Sequence, residues 1–257
     1  MQARSLSAAQ GWRWLLEGYK IYRAAPSRLG MLVLLYWFTL LALSAIPLIG
    51  SLLNALLVPA LSVGVMNACR LAERNQVIPL STLFSGLEQH RRVLFGMGAL
   101  YLLSTLLALS LSIIADDGLL LSIMTGQTPL TDETLSNPAL SVAASIVLAA
   151  LIPVLMAYWY APLLASWYGL PLIKSLFFSF VATLRNTRAF LAYGLACSLF
   201  MLLLPWVLMN IALSVLPGAN GLTGVLLIIP MLMAFAPTLF ASFYVSYRDV
   251  FGISENA

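Results

Sequence analysis

Long apolar runs without charge constrain this chain more than any other feature. No charged side chain occurs from Leu29 to Cys69 or from Ala189 to Tyr247. A hydrocarbon core about 30 Å thick is crossed by roughly 20 apolar helical residues, so each run is long enough for two transmembrane helices. Because Pro and Gly interrupt helices, we predict the turns at Ile46-Pro47-Leu48-Ile49-Gly50-Ser51 and at Pro217-Gly218-Ala219-Asn220-Gly221.

Two further apolar stretches, Val93 to Ala115 and Ala139 to Ala165, are each long enough for one crossing. The sequence therefore predicts an all-α integral membrane protein with six transmembrane helices, forming a single membrane domain over residues 1–257. Only 9% of the residues are charged, against about a quarter in soluble domains. We expect no separate soluble domain.

The basic residues predict the orientation of the chain. All 13 Lys and Arg residues lie in the N-terminal arm, in the connectors around 70–92 and 174–188, or at Arg248 in the tail. Cytoplasmic loops are enriched in Lys and Arg. We therefore expect both termini in the cytoplasm of a bacterium, the helices in its inner membrane, and a periplasmic loop at 116–138. We expect no cleavable signal peptide, because the first 28 residues lack a continuous apolar core.

Proline motifs recur in the second helix of each predicted hairpin. An Ile-Pro pair opens this helix or lies inside it, at Ile46-Pro47, Ile152-Pro153 and Ile229-Pro230. A Pro-x-Leu sequence follows each pair, at Pro59-Ala60-Leu61, Pro162-Leu163-Leu164 and Pro237-Thr238-Leu239. Self-similarity of this kind is typical of duplicated helical units. We predict three tandem units, at about 8–70, 79–168 and 171–249. Chance similarity among Leu- and Pro-rich helices is the alternative.

A short amphipathic stretch precedes each hairpin. The apolar positions repeat at helical spacing: Trp12, Leu15, Leu16 and Tyr19; Leu80, Leu83, Phe84 and Leu87; and Ile173, Leu176, Phe177, Phe180 and Leu184. In the first stretch, Arg13, Glu17 and Lys20 occupy the opposite side. Helices of this kind lie in the headgroup plane of a membrane. We therefore predict a cytoplasmic interfacial helix ahead of every hairpin.

Basic residues in and beside these stretches are the candidates for contact with lipid headgroups. They are Arg13, Lys20, Arg23, Arg91, Arg92, Lys174, Arg185 and Arg188. Each basic residue near an anionic membrane surface contributes about 1 kcal/mol of attraction. Membrane lipids are therefore the expected partners, together with other membrane or envelope proteins. Nucleic acid is not expected, because the basic residues follow the topology rule.

Several short sequences resemble a known family. They are Gly11-Trp12-Arg13-Trp14-Leu15, Leu35-Tyr36-Trp37, Ile46-Pro47-Leu48-Ile49-Gly50, Pro59-Ala60-Leu61-Ser62-Val63-Gly64 and Ala68-Cys69-Arg70. In them the chain resembles an uncharacterised family of proteobacterial inner-membrane proteins. That family is similar to the YciC-like proteins and to the membrane domain beside glycerophosphodiester phosphodiesterases. The resemblance implies a bacterial inner membrane and no known activity; the phosphodiesterase activity is not carried over, since no segment corresponds to the catalytic domain.

The predicted spans contain no Asp, Glu, Lys, Arg or His. Proton relays, carboxylate ion sites and intramembrane metalloproteases all need such groups at depth. We therefore predict no catalytic residue, no cofactor and no metal site. The most polar groups in the spans are three asparagines, for which hydrogen bonding between helices and substrate contact are the two interpretations: Asn54, Asn67 and Asn210.

Outside the spans, His90 is expected to be a solvated surface histidine, with pH sensing or contact with a lipid phosphate as the alternative. The acidic residues of the 116–138 loop are expected to form a solvated turn, with cation binding as the alternative. They are Asp116, Asp117, Asp132 and Glu133.

The prolines of the even spans have two interpretations. In the first, they expose backbone carbonyls along a substrate path. In the second, they bend the helices, and neighbouring helices bond to the backbone groups that the prolines free. We favour the second. The aromatic residues between 158 and 168 are expected in packing and at the interface. The leading hypothesis is a non-enzymatic scaffold or accessory protein in envelope or lipid homeostasis. The alternative is a small transporter or permease subunit with a path between the helix repeats.

Overall fold

The structure, a computed structural model, describes residues 3–47, 49–88, 90–215 and 221–252, and for residues 221–230 only the backbone. The elements in chain order are α1 (Ala8–Ala24), α2 (Pro26–Ser44), α3 (Gly50–Glu73), a 3₁₀ helix (Leu80–Leu87), α4 (Arg91–Asp116), α5 (Leu119–Met124), α6 (Asp132–Leu135), α7 (Pro138–Tyr158), α8 (Ala161–Tyr168), α9 (Leu172–Arg185), α10 (Thr187–Ser198), a π-helical turn (Leu199–Leu203), α11 (Leu204–Val215) and α12 (Gly221–Phe251). The all-α prediction is confirmed for the described residues.

Within the described residues, five segments are long and apolar enough to cross a membrane. They are Pro26–Ser44, Gly50–Glu73, Arg91–Asp116, Pro138–Tyr168 and Thr187–Val215. The sixth predicted span falls in α12, whose first ten side chains are not described. Leu48 in the first predicted turn and residues 216–220 around the last one lie outside the described residues.

The fourth apolar segment contains a break. The sequence predicted one crossing over 139–165, and the structure gives one membrane-length segment, Pro138–Tyr168, in which α7 ends at Tyr158 and α8 begins at Ala161. Pro162 is the physical reason: it has no backbone N–H, and its ring excludes the carbonyl of the residue four positions earlier from a regular helix. Trp159 and Tyr160 form the break, so this span has an interrupted hydrogen-bond ladder.

The loop at 116–138 carries more structure than a solvated turn. It contains the short helices α5 and α6. The side-chain oxygen of Asn137 accepts a hydrogen bond from the backbone N–H of Ala139 at 3.0 Å. This cap and Pro138 in the first turn start α7, because both suit a helix N-terminus.

The buried core lies towards one end of the bundle. It is formed mainly by α1, the C-terminal parts of α3 and α12, and α8, and its largest fully buried side chains include Trp14, Tyr160 and Tyr247. We call this the basic end, because α1 and α9 with their Lys and Arg residues lie there, together with the 3₁₀ helix and with Arg91 and Arg92 at the start of α4. At the other end, apolar side chains such as Ile114 and Leu202 are exposed, as expected for a surface in lipid.

The 3₁₀ helix and α9 each pack on the hairpin that precedes them in the chain. The 3₁₀ helix lies against α2 and α3, α9 lies against α7 and α8, and α1 closes the ring by packing on α10 and α12. The approach is close: a Cβ on Gly64 would overlap the backbone of Leu83, and one on Gly18 would overlap Ser242. Glycine is therefore required at both contacts.

Candidate functional site

The short elements at the basic end expose large apolar side chains. On α1, Trp12, Leu16 and Tyr19 are 50%, 49% and 47% exposed. Phe84 on the 3₁₀ helix and Phe177 on α9 are exposed in the same way. Contiguous apolar surface of this kind marks a site of interaction with a membrane or protein. The arrangement matches an interfacial helix with its apolar side towards lipid.

On α1 and the 3₁₀ helix, some of the apolar residues predicted to face lipid face the helix bundle instead. Leu15 and Leu83 were expected on the lipid-facing side, but both are buried against the bundle. The inward sides also carry small residues, including Gly18 on α1 and Ser179 on α9. The second stretch is a 3₁₀ helix rather than an α-helix. Each element therefore has a side packed on protein as well as an exposed apolar side.

The candidate lipid-contact residues are all exposed at this end. They are Arg13, Lys20, Arg23, Arg91, Arg92, Lys174, Arg185 and Arg188. None forms an ion pair with another residue that the structure describes. The guanidinium of Arg23 lies 6.0 Å from the centre of the Tyr19 ring. The set is thus available to anions outside the protein.

The pattern predicted Glu17 on the same side of α1 as Arg13 and Lys20, but unlike those two exposed residues Glu17 is partly buried. It pairs with Arg248 at 2.5 Å, and Arg248 also pairs with Glu73. This cluster joins α1, α3 and α12. Burial acts to lower the pKa of Arg248, but the hydrogen bonds to Glu17 and Glu73 outweigh it and the net shift is upward. The guanidinium therefore stays charged and holds three helices together.

Asp249 extends the same cluster. One of its oxygens accepts hydrogen bonds from Nε2 of Gln10 at 2.7 Å and from Nε1 of the fully buried Trp14 at 3.1 Å. The N-terminal helix is thus fixed to the end of α12 by charged and indole groups far apart in sequence. Residue spacing gave no signal for this contact.

The three asparagines of the predicted spans form different kinds of hydrogen bonds. Asn67 donates to Oγ of Ser85 at 2.8 Å and accepts from Nε1 of Trp167 at 2.9 Å, which joins α3 to the 3₁₀ helix and α8. Asn54 donates to Oγ of Ser44 at 2.7 Å and so joins α3 to α2. Asn210 bonds within α11, to a backbone carbonyl one turn earlier.

Two backbone groups at the break between α7 and α8 are satisfied by α9. The carbonyl of Met156 accepts hydrogen bonds from Oγ of Ser179 at 3.0 Å and Oγ1 of Thr183 at 3.2 Å. The N–H of Tyr160 donates to Oγ of Ser179 at 2.8 Å. Side chains of a neighbouring helix therefore satisfy two backbone groups close to Pro162.

A cavity of about 880 Å³ lies between the hairpins. Side chains from α2, α3, α4, α7, α8, α10 and α12 line it, with Pro59 and Pro162 on two of its walls. The lining is apolar apart from a few hydroxyl and indole groups. The buried Nε1 of Trp159, one of the lining residues, has no hydrogen-bond partner among the described residues.

The remaining candidates have local roles. The Asp116 carboxylate accepts from the N–H groups of Gly118 at 3.0 Å and Leu120 at 2.7 Å, so it caps α5. His90 is exposed with a φ of 53° just before α4. In the described part of the chain, no group of three or more His, Cys, Asp or Glu side chains is placed to hold a metal ion.

Comparison with known proteins gives one near full-length relative. A protein of Burkholderia thailandensis named "probable inner membrane protein" is 34% identical over 264 residues, which cover 99% of this chain and 96% of the relative. No family model matches the chain, and no solved structure matches it. The alignment covers nearly the whole chain, including the apolar segments long enough to cross a membrane. The chain belongs to the family of inner membrane proteins represented by this Burkholderia protein.

Proposed function

We propose that the protein is a non-enzymatic accessory or scaffold protein that binds anionic lipid at the cytoplasmic leaflet of the inner membrane. The observation that carries the proposal is the pairing of exposed apolar side chains with exposed, unpaired basic residues on elements at one end of the bundle. In such elements, the free energies of apolar burial and of attraction to anionic headgroups add together. Other membrane or envelope proteins are proposed as further partners on the same surface.

The proposed topology has six crossings, with α12 as the sixth and both termini in the cytoplasm. The basic end is then the cytoplasmic end, as the distribution of Lys and Arg favours. α12 is 31 residues long, and about 20 suffice for a crossing. The acidic loop at 116–138 is placed in the periplasm.

Three tandem units over 8–70, 79–168 and 171–249 are part of the proposal. The docking of each short element on the preceding hairpin supports them, because duplicated units in a closed ring share one mode of contact. Gly64 and Ser242 add support: each lies five residues after the proline of a Pro-x-Leu and meets the docked element. The wider likeness to YciC-type proteins is proposed from the short Pro-, Gly- and aromatic-containing sequences described above.

Transport is the competing proposal, with a path through the cavity between the hairpins. The volume of about 880 Å³ favours it. The apolar lining and the satisfied backbone groups beside Pro162 favour the accessory role instead, because a hydrophilic solute needs polar partners in the membrane. The two proposals predict opposite results for solute flux in proteoliposomes.

Native mass spectrometry of the full chain released from phosphatidylglycerol nanodiscs tests lipid binding. Replacing Arg13 and Lys20 by Gln should lower the affinity for phosphatidylglycerol about 30-fold, at about 1 kcal/mol for each charge. The matched control is the charge-conserving exchange Arg13→Lys with Lys20→Arg, which keeps both cations at the surface and should change affinity little. Equal lipid retention by all three proteins would refute the proposal.

A further inference from the structure

We propose that the cavity between the hairpins holds one acyl chain of a glycerophospholipid from the leaflet at the basic end. This goes beyond the proposed function, because it depends on apolar volume inside the bundle and not on the surface cations. The cavity volume of about 880 Å³ falls within the range of about 300–1,000 Å³ found for small-molecule sites.

The length of the cavity suits one leaflet. On α3 it extends from Ala55 to Met66, which is about 16 Å at about 1.5 Å per helical residue. Half of a hydrocarbon core about 30 Å thick is about 15 Å. Met66 lies one turn before Arg70, so the cavity begins just below the basic end, where anionic headgroups have cationic partners.

The lining fits a hydrocarbon chain. Phe190, Phe240 and Phe243 lie on it with Pro59 and Leu239. Water would find few hydrogen-bond partners there, and a water in a cavity needs two to four. The unpaired Nε1 of Trp159 offers a donor that the ester carbonyl of a lipid can accept.

The cavity reaches the outer surface of the bundle. Trp37 lines it and is also 54% exposed, and Leu155 on α7 is both lining and exposed. A chain can therefore enter sideways from the bilayer without passing through the core. The acyl chain is the one occupant that is present at this depth throughout the membrane.

Gly194 provides a way to fill the cavity without strain. It lies on the lining, and a Cβ there would meet no atom within 4 Å. Gly194→Phe should place a ring inside the cavity while leaving the backbone in place. Gly30→Phe is the matched control, because Gly30 is also helical, is also free of neighbours within 4 Å and does not line the cavity.

The experiment uses the full chain in phosphatidylcholine nanodiscs containing phosphatidylglycerol with a photoactivatable diazirine in one acyl chain. After irradiation, crosslinks to inward positions such as Thr105 and Cys197 should dominate over crosslinks to the outward Leu103. Gly194→Phe should largely abolish the inward crosslinks, because its ring takes up space in the cavity that the acyl chain would fill. Gly30→Phe should leave them unchanged. Inward crosslinks that are absent, or equal in all three proteins, would overturn the inference.

Cys197 gives a second measurement on the unaltered protein. A lipid-filled cavity should keep this thiol unmodified by a charged, water-soluble methanethiosulfonate in membranes, and delipidation in detergent should expose it. Modification in membranes would show a water-filled cavity and overturn the inference. The outcome is separable from the surface proposal: Gln at Arg13 and Lys20 should not remove the inward crosslinks, and Gly194→Phe should not change binding at the surface cations.

Discussion

Ser179 is predicted to stabilise the interrupted fourth span through the two backbone groups that it satisfies. In Ser179→Ala the N–H of Tyr160 loses its acceptor, while the carbonyl of Met156 keeps Thr183 as a donor. One buried donor is then left without a partner, which costs about 1–3 kcal/mol. Hydrogen bonds between membrane helices contribute about 0.6 kcal/mol on average and up to about 1.7. We therefore expect a loss of about 1–2 kcal/mol.

Ser175→Ala is the matched control. Ser175 is on the same helix and, like Ser179, is fully buried. Its hydroxyl bonds only to the carbonyls of Leu170 and Pro171 at the start of α9. The same atom is removed from a similar environment, but no group of another span loses a partner. The expected loss is below about 0.5 kcal/mol.

The assay is equilibrium unfolding in mixed micelles of a mild detergent and SDS, followed by tryptophan fluorescence. A difference of about 1 kcal/mol between the two variants corresponds to roughly a fivefold change in the unfolding equilibrium. Thr183→Val added to Ser179→Ala should lower stability further, because Met156 then loses both donors. If Ser179→Ala is no less stable than Ser175→Ala, the account of the break is wrong.

Three further predictions follow from the contacts at the basic end and from the proposed topology. Gly64→Ala should destabilise by about 1–3 kcal/mol in the same unfolding assay, because its Cβ overlaps the backbone of Leu83; Gly30→Ala should be neutral or slightly stabilising. Arg248→Met should cost about 1–3 kcal/mol by removing the cation that its two partly buried glutamate partners share. The loss should be smaller at high salt than at low salt, because salt screens partly exposed charges, and an unchanged stability at low salt would contradict the account. An alkaline phosphatase fusion near Gly126 should be active, and an inactive fusion at normal expression would contradict the topology.

The helices were largely predictable because the membrane imposes a length and a composition. Charge-free runs located the first five apolar segments, and the turn residues separated α2 from α3. The exposure of the eight basic candidates also followed from the sequence, since long cations stay outside an apolar bundle unless paired.

The contacts between distant segments were not predictable. Glu17 fitted a solvated helical face, yet it pairs with Arg248; periodicity describes one helix and carries no information about its neighbours. The contacts of Ser179 were not predictable either. The backbone groups to which it bonds are available only because α7 ends before Pro162. Leu15 was placed with the lipid-facing residues because a helix with two apolar sides looks like one with a single wide apolar side.

The central claim is that α1, the 3₁₀ helix and α9 lie together at one membrane interface. Spin labels at Leu16→Cys, Phe84→Cys and Phe177→Cys, with both native cysteines replaced by Ala, allow their depths to be measured by electron paramagnetic resonance in nanodiscs. The account predicts one common depth of about 5–10 Å below the headgroup boundary, with a label at Arg13→Cys nearer to water. Labels at different depths, or any of the three in bulk water, would contradict it.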